Sequence, residues 1–563
     1  MTDFPHVAKA LAYIDGVTSG EILAGVHVRR ACERHRRDVE RESDPAWPYR
    51  FDAEKAERVC KFIELLPHVK GEWARAVPGN PKANRLRLEP WQCFVVSMMF
   101  GWVQKANGFR RFRKASLYIP RKNAKSTLAA GIGWWMFAKD DEPGAEVYSG
   151  ATSEKQAWEV FGPARQMALS SPKLPEGLGV LVNAKSLVRP GHNCKFEPVI
   201  GKPGDGASPH CAIVDEYHEH PTSVLYDTML TGMGARRQPL LLIISTAGDN
   251  ISGPCRGDWL LMEKILAQTL HDETHFGVIW SADEGDSWNS ETALRKANPN
   301  FDVSVRSDFL LAQLATAERE AIKQGIYKIK HLNQWVTARN AFFNLESWRK
   351  LADPKLKIED FAGQSCFMAI DLAAKIDLAV LIIIFPIDEN RIAVFGRYYA
   401  PDATVQLPEN QHYQKWQLEG HLIVTPGNMT DHTLIRDDVF ELKGKYQVKE
   451  LAYDPDGATM LVNELTAEGV TCVEIPQTMG MLSDPMKHVD AMIRSGWIAH
   501  TGDPVMEYAI SNVIAQHDRG DRVKPTKERP ENKIDPAVGL IMAVHRLINQ
   551  EPASAGAGVM FFN

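Results

Sequence analysis

The chain has 563 residues, 44% of them hydrophobic and 24% charged, and a formal net charge of −6. Its length exceeds that of one ordinary core and its composition is that of a folded protein, which excludes a disordered chain. The negative charge excludes an overall basic surface, so any contact with nucleic acid must come from local patches. Eight cysteines without a CxxC pair, no secretory signal and no apolar run of about 18 residues predict a reduced, soluble, unexported protein.

The first half of the chain changes its pattern twice. Residues 1–85 have helical periodicity, many charges and no strong strand signal, which predicts a helical N-terminal region. Over 86–250, short β-rich runs alternate with helical stretches, as in a parallel α/β sheet. The pattern over 251–340 is helical again and is interpreted as a lid subdomain on the first domain, and 341–362 is interpreted as a linker.

A second α/β domain is predicted over 363–549, followed by a flexible tail at 550–563. Three successive strands, then alternating helices and strands and a last helix, are the order of an RNase H-like fold. The predicted strands are 366–371, 378–385, 391–399, 450–454 and 470–475, and the predicted helices are 459–467 and 536–549.

A phosphate-binding segment is predicted where a strand ends at Ile119 and a helix begins near Lys125. Backbone N–H groups at a helix start favour phosphate, Lys125 can neutralise phosphate oxygens, and Ser126 can bind Mg²⁺. Ile119 and Ala124 occupy the glycine positions of GxxxxGK[ST], so a basic surface turn is the alternative at this point. The candidate nucleotide-binding residues are Arg121, Lys122, Asn123, Ala124, Lys125, Ser126 and Thr127.

Two later strands complete an ATPase pattern. The first ends in Asp215 and Glu216, which suit Mg²⁺ binding and activation of the attacking water, respectively. The second ends in the hydroxyl residues Ser245 and Thr246, which can sense the γ-phosphate. Upstream, the amide of Gln92 can read an adenine edge, and an ordinary helix-start residue is the alternative for it.

Carboxylates also occur at element ends in the second domain. Asp371 and Asp454 end strands, and Asp535 precedes the last helix, where an N-cap is the alternative role. An RNase H-like sheet would gather these side chains, and hard oxygen ligands suit two Mg²⁺ or Mn²⁺ ions about 4 Å apart for phosphodiester cleavage. Asp377 and Asp456 are further candidate ligands.

Two other features have less specific interpretations. The basic stretch 519–533 is either a phosphate-contacting loop or a solvated mobile loop. A zinc site at His210, His218 and His220 is not expected, because no cysteine has ligand spacing around them.

Taken in order, these motifs resemble those of the large terminase subunits of tailed phages, particularly the HK97-like type, over about residues 45–548. The resemblance rests on 88–92 (Leu-Glu-Pro-Trp-Gln), 120–126, 214–216, 245–248, 297–299 (Ala-Asn-Pro), 333–335 (Asn-Gln-Trp), 453–455 (Tyr-Asp-Pro) and 533–535 (Lys-Ile-Asp).

The resemblance implies an ASCE-type P-loop ATPase domain with a helical leader and lid, followed by an RNase H-like nuclease domain. It implies a motor that hydrolyses ATP to move double-stranded viral DNA into the procapsid, and an endonuclease that cuts concatemeric DNA. The implied partners are DNA, a small terminase subunit, the portal protein and further copies of the chain in a pentameric ring. The implied location is the host cytoplasm, with transient docking on the procapsid.

Site residues follow from the matching motif positions. Lys125 and Ser126 match the P-loop Lys and hydroxyl, Asp215 and Glu216 the acidic pair, and Asp371, Asp454 and Asp535 the nuclease triad. Ala124 departs from the glycine usual in the family. Arg121 matches an arginine within the family's P-loop, Arg236 or Arg237 is a candidate for action on a neighbouring subunit, and the apolar tail 559–562 is a candidate for portal docking.

Three alternatives remain at this stage. A P-loop helicase or translocase whose second domain only binds DNA predicts that the three aspartates do not converge. An RNase H-like transposase or recombinase predicts that Glu216 is dispensable. A capsid-assembly scaffold that uses nucleotide only structurally predicts normal packaging by Lys125 variants.

Overall fold

The computed structural model describes residues 3–549, except 76, 78–79, 81, 202–203, 205, 373–377, 408–409, 519 and 530–531. Contacts divide the chain into two units. The first unit holds the described residues up to Arg319 together with Ile326–Val336, and the second holds Glu320–Gly325 and the described residues from Thr337 onward. No helix in the described parts is long and apolar enough to cross a membrane.

The N-terminal region is mainly helical and belongs to the core of the first unit. Its elements are α1 (Pro5–Ser19), α2 (Val26–Arg41), β1 (Tyr49–Phe51), α3 (Ala53–Ile63), α4 (Pro90–Gly101) and β2 (Trp102–Gln104). Helix α4 is buried from Trp91 to Gly101 and packs against α1 and α3. Strand β1 lies within the region that gave no strong strand signal and pairs antiparallel with β2, because three residues are too short for a detectable alternation.

An eight-stranded sheet forms the centre of the first unit, in the order β10-β3-β9-β8-β4-β7-β6-β5. All neighbours from β10 to β7 are parallel, and β6 and β5 continue antiparallel at the edge. The strands are β3 (Lys114–Tyr118), β4 (Glu146–Ala151), β5 (Leu181–Val182), β6 (Leu187–Arg189), β7 (Cys194–Ile200), β8 (Cys211–Asp215), β9 (Leu240–Ser245) and β10 (His275–Ile279). The helices are α5 (Lys125–Ala138), α6 (Glu154–Ser170), α7 (Lys173–Leu178), α8 (Val224–Gly232) and α9 (Pro254–Leu266).

Strand β10 corrects the prediction for 251–340. That segment was expected to be helical, yet it supplies an edge strand that pairs in parallel with β3. The strand has five residues, all buried, and such short buried runs cannot be distinguished from helix by periodicity. After it come α10 (Glu291–Ala297), α11 (Ser307–Arg319) and α12 (Ala321–Leu332), with a small separate core that includes Leu294, Leu310 and Leu332.

The second unit contains the predicted three-stranded meander followed by alternating elements. Its elements are α13 (Leu345–Lys350), β11 (Ser365–Asp371), β12 (Ala379–Pro386), β13 (Ile392–Pro401), α14 (Asp402–Val405), α15 (Gln411–Leu418), β14 (Ile423–Thr425), α16 (His432–Lys445), β15 (Gln447–Tyr453), α17 (Thr459–Ala467), β16 (Cys472–Glu474), α18 (Met479–Ser495), β17 (Ile498–His500), α19 (Pro504–Asn512), β18 (Val513–His517), β19 (Val523–Lys527) and α20 (Asp535–Ile548).

The sheet of the second unit has the order β14-β13-β12-β11-β15-β16, and β17 also pairs with β13. Strands β11, β12 and β13 are antiparallel neighbours, whereas β15 joins β11 in parallel. Helix α20 packs across β11, β12 and β15. Strands β14 and β17 and the hairpin β18–β19 were not predicted, and β19 lies within the basic stretch 519–533 that was expected to be a loop.

Candidate active sites

The phosphate-binding segment connects β3 to α5 beside the end of β9. The N–H of Ile119 donates to the carbonyl of Ser245 at 2.9 Å. Lys122 and Ala124 adopt left-handed conformations with φ of 70° and 58°, which reverse the chain before the helix. Because α5 begins at Lys125, the N–H groups of its first turn have no partner within the helix. This is the strand–turn–helix geometry that binds phosphate.

Asparagine side chains hold this loop in shape. Asn123 is fully buried, and its Nδ2 donates to Oδ1 of Asn298 at 2.9 Å. Its Oδ1 accepts the backbone N–H of Asn300 at 3.0 Å, and the hydroxyl of Ser304 donates to the carbonyl of Lys122 at 2.7 Å. The segment after α10 therefore fixes the P-loop through side chains distant in sequence.

The two acids at the end of β8 meet the P-loop lysine. Asp215 is fully buried, and its Oδ1 accepts the N–H of Glu216 at 2.9 Å. Glu216 has a φ of 48°, so the chain turns sharply after the strand. The Nζ of Lys125 lies 3.0 Å from Oε1 of Glu216. The structure thus brings together residues ninety positions apart that the sequence assigned to one site.

The two carboxyl groups differ in their protonation. Burial, and then the neighbouring charge of Glu216, raises the pKa of Asp215 to about 7. Burial also opposes ionisation of Glu216, but Lys125 and then His218 outweigh it and lower the pKa of Glu216. The Oδ2 of Asp215 is buried without a hydrogen-bond partner among the described residues. A hard divalent cation fits this oxygen, because an unpaired buried carboxylate is otherwise costly.

His218 connects the acidic strand to the hydroxyl-ended strand β9. It is 4% exposed, and its Nδ1 lies 3.3 Å from Oε2 of Glu216 and 3.0 Å from the hydroxyl of Ser245. Its backbone N–H also donates to Ser245 Oγ at 3.1 Å. On the same strand end, the Oδ1 of Asn333 accepts the N–H of Ala247 at 2.6 Å. Glu216 is therefore held between the P-loop lysine and the end of β9.

Gln92 has a structural role in the described contacts. Its Oε1 accepts the N–H of Glu89 at 3.0 Å, and the Glu89 carboxylate in turn caps the first turn of α4. This reciprocal capping box supports the alternative of a helix-start residue. The neighbouring Trp91 donates from Nε1 to Oδ1 of Asn300 at 2.6 Å, which connects α4 to the segment that fixes the P-loop.

The candidate arginines have different environments. Arg121 is exposed on the P-loop. The guanidinium of Arg236 is paired with Glu142 at 2.9 Å and donates to the Ser208 carbonyl at 2.9 Å. Arg237 is exposed, with its Cζ 5.9 Å from the ring centroid of Phe109. Arg236 therefore stabilises its own chain, and Arg237 presents its charge to solvent.

The three histidines that were considered as zinc ligands each contact a different group. His210 Nε2 lies 2.7 Å from Asp140 Oδ2, His218 contacts Glu216, and His220 Nε2 lies 3.1 Å from the carbonyl of Asp215.

In the second unit, two of the predicted carboxylates occupy the same edge of the sheet. Strands β11 and β15 are parallel, with Ile370 opposite Tyr453. Asp371 ends β11 and Asp454 directly follows β15, so both lie at the carboxyl ends of neighbouring strands. Gln477, which the sequence did not indicate, donates from Nε2 to Oδ2 of Asp371 at 3.2 Å.

Asp535 is the first residue of α20, the helix that packs across β11, β12 and β15. It lies in the first turn of α20 after the N-cap residue Ile534, so the alternative of an N-cap role is wrong. One turn later, Gly539 lies against Ile382 and Val380 of β12, and Val380 is the residue paired with Asp371. The described residues contain no three His, Cys, Asp or Glu side chains close enough to form a metal-binding group. The fold thus places Asp371 and Asp454 at one edge of the sheet, and the described structure does not bring the three carboxylates together as a metal-binding group.

The surroundings of Asp454 are acidic. Burial raises the pKa of Asp454, and the negative charges of Asp456 and Glu474 raise it further. The N–H of Asp456, which donates to Oδ1 of Asp454 at 3.3 Å, acts in the opposite direction and is outweighed. A cation bound beside Asp454 would offset this negative charge. The candidate ligand Asp377 and the tail 559–562 lie outside the described residues.

Several site residues were missed by sequence reasoning. Asn298 and Asn333 belong to motifs noted for the resemblance, but their contacts to the P-loop and to the end of β9 depend on folding. No sequence signal pointed to Asn300 or Gln477, and His218 was considered only as a zinc ligand.

These features define a class of protein: a P-loop ATPase with an acidic strand end, joined in one chain to an RNase H-like nuclease. A family model described as "Terminase large subunit, ATPase domain" matches residues 90–262, and one described as "Terminase large subunit, endonuclease domain" matches residues 269–551. The chain belongs to the large terminase subunits, and it is an ATPase and an endonuclease.

The chain is also similar to individual known proteins. The chain is 44% identical over 361 residues to Protein YmfN of Escherichia coli (strain K12), which covers 62% of this chain and 79% of that protein. It is 24% identical over 503 residues to the "Terminase, large subunit" of Enterobacteria phage HK97, covering 87% of this chain and 95% of the relative. The crystal structure of the HK97 large terminase aligns with a TM-score of 0.42 at 24% identity, over 87% of this chain and 99% of that one.

Proposed function

We propose that ATP is bound and hydrolysed at the end of the first sheet by the P-loop and the acidic pair. In this assignment Lys125 binds the β- and γ-phosphate oxygens, Ser126 and Asp215 hold Mg²⁺, and Glu216 orients and deprotonates the attacking water. The observation that carries the proposal is the buried Oδ2 of Asp215, which has no hydrogen-bond partner in the described parts of the chain and suits a cation. Bound Mg²⁺ would neutralise charge on the phosphates.

The Lys125–Glu216 ion pair supports a simple order of events. With Lys125 beside it, Glu216 has a lowered pKa and is ionised near neutral pH. An incoming phosphate competes for the Lys125 ammonium, which releases the Glu216 carboxylate as a base. His218, which Ser245 holds in position, then contacts Oε2 of Glu216, whereas Lys125 contacts Oε1. Arg121 adds positive charge from the exposed face of the P-loop, with Lys122, Asn123, Ala124 and Thr127 completing the phosphate-binding segment.

We also propose that Asp371, Asp454 and Asp535 bind Mg²⁺ or Mn²⁺ for DNA cleavage. The position of Asp371 and Asp454 at the ends of neighbouring strands supports this assignment, as do the packing of α20, which begins at Asp535, across these strands and the raised pKa of Asp454 among acidic neighbours. The metals would activate water and stabilise the leaving oxygen. Gln477 orients Asp371.

The assembly proposed for the chain is that implied by its family. It comprises double-stranded DNA, a small terminase subunit, the portal protein and a pentameric ring of copies, in the host cytoplasm and docked transiently on the procapsid. Of the two candidates for action on a neighbouring subunit, Arg237 is favoured, because the guanidinium of Arg236 is already paired with Glu142 in its own chain.

Glu216→Gln tests the ATPase assignment. We expect hydrolysis to fall by about 10²- to 10⁴-fold, the usual contribution of a general base, while ATP binding persists. Lys125→Ala should weaken ATP binding itself, because it removes the phosphate-binding charge. The two measurements are phosphate release and equilibrium binding of ATP with Mg²⁺. Glu219→Gln, a neighbouring acid on the other side of His218, is the control; a loss of hydrolysis equal to that of Glu216→Gln would contradict the assignment.

A further inference from the structure

A basic cavity of about 640 Å³ lies in the first unit, at the opposite end of α5 from the P-loop. Its walls come from α3, from residues 82–87 and from the last turn of α5. The cationic side chains are Arg58, Lys61, Lys82, Arg85, Arg87 and Lys139. Helix α5 has 14 residues, so its ends are about 21 Å apart and the cavity is separate from the nucleotide phosphates.

The positive charge of this cavity is largely uncompensated. One acid, Glu64, lines it, and its Oε2 is already paired with Nε2 of His6 at 3.1 Å. Lys61 is paired with Glu57 at 3.4 Å. The other five cations form no ion pair with any residue in the described ranges. Such a concentration of positive charge, in a chain whose net charge is −6, predicts an anionic ligand.

The floor of the cavity is apolar and partly aromatic. Phe62 and Trp135 meet edge to face with ring centroids 5.6 Å apart. These two side chains and Leu86 are at most 8% exposed, so Leu65, which is 46% exposed, supplies the most accessible apolar surface. An inorganic anion makes no use of such a floor. A duplex offers phosphates but keeps its base faces inside the stack, whereas a single strand offers phosphates and unpaired bases together.

We propose that the basic cavity binds a single-stranded segment of DNA, with phosphates on the cationic rim and an unpaired base against the apolar floor. This inference rests on the proposed action of the protein on DNA and assigns part of that contact to a surface outside both active sites. Arginine and lysine differ in their roles here: the guanidinium groups of Arg58, Arg85 and Arg87 can bind phosphate in a bidentate manner, and the lysines act as point charges.

The test is fluorescence anisotropy of a labelled oligothymidylate and of a duplex of equal length, on the full chain in EDTA so that no DNA is cut. The cavity variant is K82E/K139E. The matched control is K155E/K173E, which reverses two exposed lysines on α6 and α7. We expect the cavity variant to bind the oligothymidylate about tenfold more weakly, with a salt-dependence slope smaller by about 1.4, and the control to be unchanged.

Two further variants test the details. K82R/K139R keeps the charge and should retain binding. Leu65→Ser removes an exposed apolar side chain from the floor. It should weaken the binding of the oligothymidylate more than that of the duplex, because only unpaired bases reach the floor.

Several outcomes would overturn the inference. If the cavity variant and the control bound the oligothymidylate equally weakly, the cause would be general charge repulsion and not a specific site. Displacement of the oligothymidylate by inorganic phosphate or ATP at the same phosphate concentration as unlabelled oligonucleotide would indicate a free-phosphate site. ATP hydrolysis and plasmid cleavage with Mg²⁺ or Mn²⁺ are measured on the same preparations. Wild-type protein lacking both activities would remove the proposed function, whereas active protein whose cavity variant binds normally would remove only this inference.

Discussion

Single side chains account for the chemistry of both sites, and the sequence predicted them unevenly. Lys125, Asp215 and Glu216 could be predicted because each lies at the end of a local strand or turn pattern, and the structure joins them through the 3.0 Å ion pair of Lys125 with Glu216. Asn300 and Gln477 could not be predicted, because their partners lie more than a hundred residues away in sequence and only folding creates the contacts.

Ala124 has a backbone conformation that favours glycine. Its φ of 58° is in the left-handed region, where a Cβ costs about 1–2 kcal/mol and glycine recovers part of this after its entropic cost. Ala124→Gly should therefore raise the free energy of unfolding of the first unit by up to about 1 kcal/mol. The measurement is the melting temperature without nucleotide.

The control for this variant is Ala312→Gly, at an exposed position inside α11. It should destabilise by about 1 kcal/mol, because glycine in a helix interior costs more than alanine. Lower stability in both variants would contradict the assigned backbone strain.

His6 makes the stability of the N-terminal region depend on pH. Hydrogen bonding to Glu64 outweighs burial and raises the pKa of His6 to about 9, with Nδ1 also 2.8 Å from Glu57 Oε1. A raised pKa in the folded state means that the protonated form stabilises the fold. This contribution is fully present below the unfolded pKa of about 6.5 and is lost as pH rises through about 9.

We therefore expect the melting temperature of wild type to fall between pH 6.5 and pH 9 by more than that of His6→Gln. The variant itself should cost about 2 kcal/mol at pH 6.5, because Glu57 and Glu64 lose a charged hydrogen-bond donor. His192→Gln, at an exposed position, serves as the control. If the melting temperatures of wild type and His6→Gln changed in parallel with pH, this role of His6 would be contradicted.

Helices and strands were predicted where their pattern is long enough. The meander β11–β12–β13 and helix α17 agree with the prediction, because buried strands and a nine-residue helix leave clear signals. The short strands β1, β5 and β10 were missed, whereas the five-residue strand β8 was predicted with its observed bounds, because sheet pairing can form a short strand from a weak local pattern. The edge position of β10 beside the P-loop strand follows from the fold and not from its own residues.

The start of α4 tests the role of Gln92. Gln92→Ala removes one half of the capping box and should lower the free energy of unfolding by about 1 kcal/mol, with little effect on ATP binding. The measurements are thermal unfolding and the ratio of ATP to GTP affinity. Glu89→Ala removes the other half of the box and should have a similar effect on stability. A selective loss of ATP over GTP binding in Gln92→Ala alone would favour the adenine-reading role.

The chain as a whole carries two activities in two units. The family model for the nuclease begins at residue 269, whereas the contacts of the described residues place Ile326–Val336 with the first unit. The segment that follows β10 is thus matched by the nuclease family model. Its residues Asn298 and Asn300 nevertheless form hydrogen bonds with Asn123 of the ATPase P-loop. The order of the two activities could be predicted from motif order, but this division of the connecting segment could not.

The most direct test of the account measures ATP hydrolysis and plasmid cleavage side by side, with Mg²⁺ and with Mn²⁺, for wild type, Glu216→Gln and Asp454→Asn. We expect wild type to do both, Glu216→Gln to cut DNA without hydrolysing ATP, and Asp454→Asn to hydrolyse ATP without cutting, with EDTA abolishing both activities. Undiminished cleavage by Asp454→Asn, or loss of both activities in either variant while the protein remains folded, would contradict the assignment of two separate sites.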